Sequence, residues 1–200
     1  MLSQNYRMII KWEIHYFVIF RIMKLKLEKL LVDTSRALAD IAISEVERNP
    51  KLFEEAWELT VKDKYPISMR AARVLDECAE KNPVLMEPFL DEIIERLPEF
   101  TIDGVKRGFL RFFLRSKVKL TPNQRGHLVE VCFDFMSAAD SSTAIRYYSL
   151  GILYKISKKE KSLKPELLDA IEDGILHSRF SHTSIYNFRN KLYKEILYGY

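Results

Sequence analysis

The chain repeats itself at an interval of 33 residues, and few folds accommodate that. Displaced by this interval, Glu47, Asn49, Pro50, Leu52 and Glu54 fall on Glu80, Asn82, Pro83, Leu85 and Glu87, while Ser35, Leu38, Ala39, Ile41 and Ala42 meet Ser68, Ala71, Ala72, Val74 and Leu75. Within one period, Tyr65 to Leu97, two apolar stripes follow each other. Ala71, Val74, Leu75, Cys78 and Ala79 have the i, i+3, i+4, i+7 spacing of one helical face, and Phe89, Leu90, Ile93, Ile94 and Leu97 repeat that spacing after Pro88. Helices this short are marginal alone in water, so each pair needs the next pair to cover its apolar side. A period between about 20 and 50 residues with one helical hairpin in each is the mark of a stacked array.

The helix PISMRAARVLDEC, with Pro66 at its start and Arg70 four positions on, followed by NPVLMEPFLDEIIERL, resembles a repeat of the HEAT or armadillo type. The resemblance covers roughly residues 30–115 directly and the remainder by continuation. It implies an all-α fold, a right-handed α-α superhelix (a HEAT/ARM-like solenoid) of about four helical hairpins plus a capping helix. It also implies a habit of binding other macromolecules, and it carries over no catalytic residues.

Other boundaries agree with this reading. Six glycines and seven prolines are few for 200 residues, which favours an all-α reading with short connections. Asn49-Pro50, Tyr65-Pro66 and Leu97-Pro98 each end a helix, because the residue before proline is pushed out of the α region. Later helices are expected over Thr101–Arg115, Pro122–Ala138, around Ile145–Ile156, from Pro165 to about Ser178 and over Tyr186–Leu197, the last closing the stack. Residues 24–200 read as one repeat domain.

Residues 1–23 do not fit the period. MIIKWEIHYFVIFRIM is apolar and aromatic, yet Lys11, Glu13, His15 and Arg21 interrupt it, which suits neither a membrane span nor a secretory signal. An extra helix, a membrane-surface segment, or translated sequence preceding a start at Met23 would account for it. The ordinary domain opening MKLKLEKLLVDTSRALADIAISE favours the third.

The net charge of +4 conceals an asymmetry: residues 1–100 carry 15 basic against 18 acidic side chains, residues 101–200 carry 17 against 10. A front half at −3 joined to a back half at +7 could steer an acidic partner to the back, or be two solvated faces. The candidate contact lies on the helix Thr101–Arg115. Arg107, Arg111 and Arg115 recur every four residues on a stripe distinct from Val105, Phe109, Phe112 and Phe113, and Lys119 extends the positive run. Each guanidinium offers a rigid fork of donors to a carboxylate or phosphate, although a solvated face with its stems over an aromatic core reads the same way. Arg146 and Arg189 are weaker additions.

These six positions are the candidate partner-binding residues, with an acidic protein segment as the expected partner. The alternative is nucleic acid on the same basic half, with Tyr147, Tyr148 and Tyr154 as stacking platforms if exposed. Catalytic signatures are missing: there is no glycine-rich phosphate loop, CxxC pair, HExxH or GxSxG. His177 and His182 are spaced by five, which does not set two imidazoles side by side as metal ligands. No enzyme activity, cofactor or metal is therefore expected. Cys78 and Cys132 sit inside apolar helical patterns as buried thiols, which suits a reducing, cytoplasmic setting.

Overall fold

The structure, a computed structural model, describes residues 27–180 and 184–199. The segment 1–23, and with it the three readings of its role, lies outside the described residues.

Each helix boundary has a local cause. A 3-10 turn at Leu27–Lys29 precedes α1, Arg36–Arg48. Ser35 is extended and its hydroxyl accepts from the Leu38 N–H, satisfying one of the free donors at the start of α1. Asn49 stops α1 ahead of Pro50, after which α2 runs from Lys51 to Val61 and α3 from Ile67 to Lys81. The partner of α3 differs from a plain second helix. It is a 3-10 stretch, Pro83–Phe89, that passes into the short α4, Leu90–Arg96. Pro88 has no N–H to donate and its ring clashes with the carbonyl four residues back, so the tighter turn replaces a continuous α-helix.

Beyond it lie α5, Asp103–Arg115, and α6, Pro122–Ser137, whose start is a full capping box. There the Thr121 side chain accepts from Gln124 N–H, and the Gln124 side chain accepts in turn from Thr121 N–H. Finally α7 spans Thr143–Ser157, α8 Leu163–Leu176 and α9 Ser184–Tyr198. The described residues thus hold nine α-helices and no strand.

Packing follows chain order. Helices α1, α3, α5 and α7 lie successively side by side, and α4, α6 and α8 form a second row behind them. Between successive hairpins α2 packs on α3, and α6 on α7. Helix α9 lies on α8 and reaches α7 through Phe188 and Glu195, closing the array. Four hairpins and a closing helix make a helical solenoid.

The core is continuous through the hairpins. Phe53 and Trp57 of α2 meet Phe89, with ring centroids 6.1 and 4.8 Å apart; Trp57 meets Phe109 of α5 at 5.9 Å, and Phe109 meets Phe100 at 5.6 Å. One run of rings therefore joins three hairpins. Around it Leu75, Ile93, Leu97, Leu110 and Phe112 are fully buried. Such tilted ring pairs add stabilisation beyond the burial of their area.

Polar contacts between repeats hold the register. Lys81 pairs with Glu47 and Arg115 with Glu80, at matching positions of successive repeats. Arg96 donates to the Val61 carbonyl at 2.9 Å. The Lys155 ammonium donates to the carbonyls of Phe113, Leu114 and Ser116, capping the free C-terminal end of α5.

Because Phe109 links the hairpins, Phe109→Ala is expected to lower unfolding free energy by about 3–5 kcal/mol in urea titrations. The same truncation at Val84, which is 61% exposed, should stay within about 0.5 kcal/mol of the parent.

Candidate functional site

A cleft of about 240 Å³ opens on the row of odd-numbered helices. Four arginines line it, Arg70 and Arg73 from α3 and Arg107 and Arg111 from α5. Residues 30–34 and Ala39 of α1 close one end, and Tyr148 of α7 the other, so four successive repeats contribute. Gly104 and Gly108 also line it. Their bare backbone lets α5 approach α3: a Cβ on Gly104 would lie 2.4 Å from Met69 Cγ, whereas one on Gly108 would make ordinary contact with Ala72 at 3.5 Å.

The four guanidinium groups are in different states. Arg111 is bound by Asp76 of α3, its Nε and one Nη both directed at Oδ2. Asp76 is only 4% exposed, and burial pushes its carboxyl up to about 6 against the opposing pull of Arg111. Arg73 Nε donates to Glu77 at 3.0 Å, and Glu77 also receives Arg36 at 3.2 Å. Arg70 donates one Nη to the Leu31 carbonyl at 2.7 Å, which ties the 30–34 wall to α3, while its Nε is buried with no acceptor among the described residues. Arg107 is exposed and has no carboxylate within ion-pair distance among the described residues. Asp33, the acid in the wall, accepts the Ser35 N–H, which holds its carboxyl below the usual range.

Of the six candidate residues, the structure brings Arg107 and Arg111 into this cleft and leaves the others elsewhere. Arg115 lies 3.7 Å from Glu80 with both side chains more than half exposed, a geometry worth little in stability. Lys119 is exposed on the connection between α5 and α6. Arg146 is buried, donating to the carbonyls of Ala138, Ala139 and Arg179, where it ties the start of α7 to its flanking connections. Arg189 is bound to Glu172 across α8 and α9.

Two cleft arginines, Arg70 and Arg73, fall outside the candidate set. A signal for one existed: Arg73 precedes Arg107 by 34 residues, the offset that relates the apolar positions of α3 and α5. Tyr154 and Tyr147 belong to the closing interface, stacked edge-on against Phe188 and Phe180. Tyr154 also donates to Glu195.

Elsewhere the chemistry is quiet. Cys78 and Cys132 are free and buried, and burial pushes both thiols up to about 12, far from the thiolate form. No cluster among the described residues could hold a metal ion; His182 lies outside them. No described helix is long and apolar enough to cross a membrane.

Stacked hairpins sharing one core, with side chains of successive repeats converging on one face, define a helical-repeat scaffold. The chain belongs to the HEAT repeat domain family, whose sequence model matches residues 27–196. Such domains serve as scaffolds for protein interactions and are typically non-catalytic. No curated protein and no solved structure matches the chain.

The Asp76–Arg111 pair gives a pH-dependent expectation. An acid raised from 3.8 unfolded to about 6 folded stabilises the fold below the lower value and loses that contribution as pH climbs through the higher one. Removing Arg111 raises the acid further. Arg111→Met should therefore cost little at about pH 5, where Asp76 carries a proton in both proteins, and about 3 kcal/mol at neutral pH, where a buried charge is left unpaired. Urea unfolding at the two pH values measures the difference; an equal cost at both would show that Asp76 titrates normally.

Proposed function

We propose that this domain is an interaction scaffold that docks an acidic segment of a partner protein across the α3–α5 cleft, with Arg107 as its first contact. The observation that carries this reading is the difference between neighbouring arginines. Arg111 is already neutralised by Asp76 from within the fold, whereas Arg107, one helical turn away, is exposed with no internal carboxylate. A guanidinium in that position can offer two parallel donors to an incoming carboxylate, giving geometric selectivity as well as charge. Residues from four repeats line the cleft, so its shape depends on their stacking.

The nucleic-acid reading draws less support. Arg125, Arg146, Lys155 and Arg189 in the basic half are engaged with carboxylates or carbonyls of the chain itself. Their donors are thus spent inside the fold, whereas nucleic-acid binding with its steep salt dependence needs cations free to meet phosphates.

In fluorescence anisotropy with a labelled glutamate-rich peptide, Arg107→Glu should weaken binding by about tenfold or more, because an attractive charge-assisted contact becomes a repulsive one. Lys119→Glu, on the α5–α6 connection, should have much less effect. Equal losses in both variants would point to diffuse attraction and against the cleft. A gel shift with an oligonucleotide that vanishes steeply with salt and is abolished by Arg107→Glu would favour the nucleic-acid reading instead.

A further inference from the structure

We infer that the α3–α5 cleft is a phosphomonoester site, so that the acidic segment docking there is a phosphorylated one. This rests on the acidic-segment reading above and narrows it to one chemistry. The first observation is the number of uncommitted donors around one small cavity. Arg107 has no internal carboxylate among the described residues, Arg70 spends one Nη on the Leu31 carbonyl, and Arg73 spends only its Nε on Glu77. A carboxylate brings two oxygens and a single charge. A phosphomonoester brings three terminal oxygens and a charge approaching −2 at neutral pH, which matches three partly unspent guanidinium groups better.

The second observation is space. The cleft holds about 240 Å³ beside Arg107 and the arginines of α3, room for a tetrahedral group. The third is how the cleft holds its charge. Asp76 neutralises Arg111, Glu77 holds Arg73 at one donor only, and Asp33 is turned to the Ser35 N–H. These contacts position the arginines without filling all their donors.

The test uses the full chain and phenyl phosphate as probe, with benzoate, the glutamate-rich peptide and a short oligonucleotide as comparison ligands, by isothermal titration at fixed salt. Saturable binding of phenyl phosphate, tighter than benzoate by about tenfold and weakened by about tenfold in Arg107→Gln, is the expected result. Arg107 is exposed and unpaired, so its variant should keep the parent's circular dichroism and unfolding midpoint. Lys119→Gln should bind like the parent. In Arg73→Gln a further loss is expected, because a second guanidinium leaves the same cleft.

Benzoate binding as tightly as phenyl phosphate would overturn the proposal. So would Arg107→Gln and Lys119→Gln losing affinity equally, and so would an oligonucleotide that binds through Arg107 more tightly than phenyl phosphate. If the glutamate-rich peptide binds through Arg107 and phenyl phosphate does not bind, the phosphate assignment falls and the acidic-segment reading stands. If neither binds, both fall.

Discussion

No hairpin of this chain can bury its apolar surface alone, and everything else follows from that. The run of rings from Phe53 through Phe89, Trp57 and Phe109 to Phe100 crosses three hairpins, so the core belongs to none of them. Stability in such an array comes mainly from interfaces between neighbours. Each repeat must therefore meet the next at one offset along the helix axis, or the rings and the small residues facing them no longer fit. Gly104 shows how tight that fit is: the crossing of α5 over α3 leaves no room for a Cβ beside Met69.

Polar contacts then select among the offsets that hydrophobic packing would tolerate. Lys81–Glu47 and Arg115–Glu80 join equivalent positions of successive repeats, and exposed pairs like these contribute little energy. Their geometry is that of the offset at which the rings meet. Asp76–Arg111 is a different case. A carboxylate this deeply buried is costly, and its counter-ion offsets the cost only in one geometry, so the pair fixes the rotamer of Arg111 and the height of α5 against α3.

The period, the hairpins and the closing helix were legible because apolar spacing and proline placement are local signals. The site was legible only in part, for a physical reason. A spacing of four put Arg107, Arg111 and Arg115 on one stripe, but no rule within that helix says what the adjacent repeat sets opposite each. Asp76 and Glu80 face two of the three. Arg146 and Arg189 read as surface cations on charge alone, yet carbonyls of the connections beside α7 and a neighbouring carboxylate take up their donors. Arg73 went unnoticed because it sits in the acidic half, where net charge hid a repeat-equivalent of Arg107. The 3-10 stretch before α4 was missed because Pro88 reads equally well as a helix start.

The cleft is thus made from what the repeat contacts leave over. Had all three arginines of α5 met acids on α3, the row would be a closed ladder and the face electrically quiet. Two did, and the register they enforce sets Arg107 beside Arg73 and Arg70 with donors unspent. Gly104 permits the close approach of α5 to Met69 of α3 that brings the two sets of guanidinium groups to one cleft. Packing and recognition are coupled through shared atoms here. The neutralised arginine holds the helix in place, and the position one turn earlier is free to meet something else.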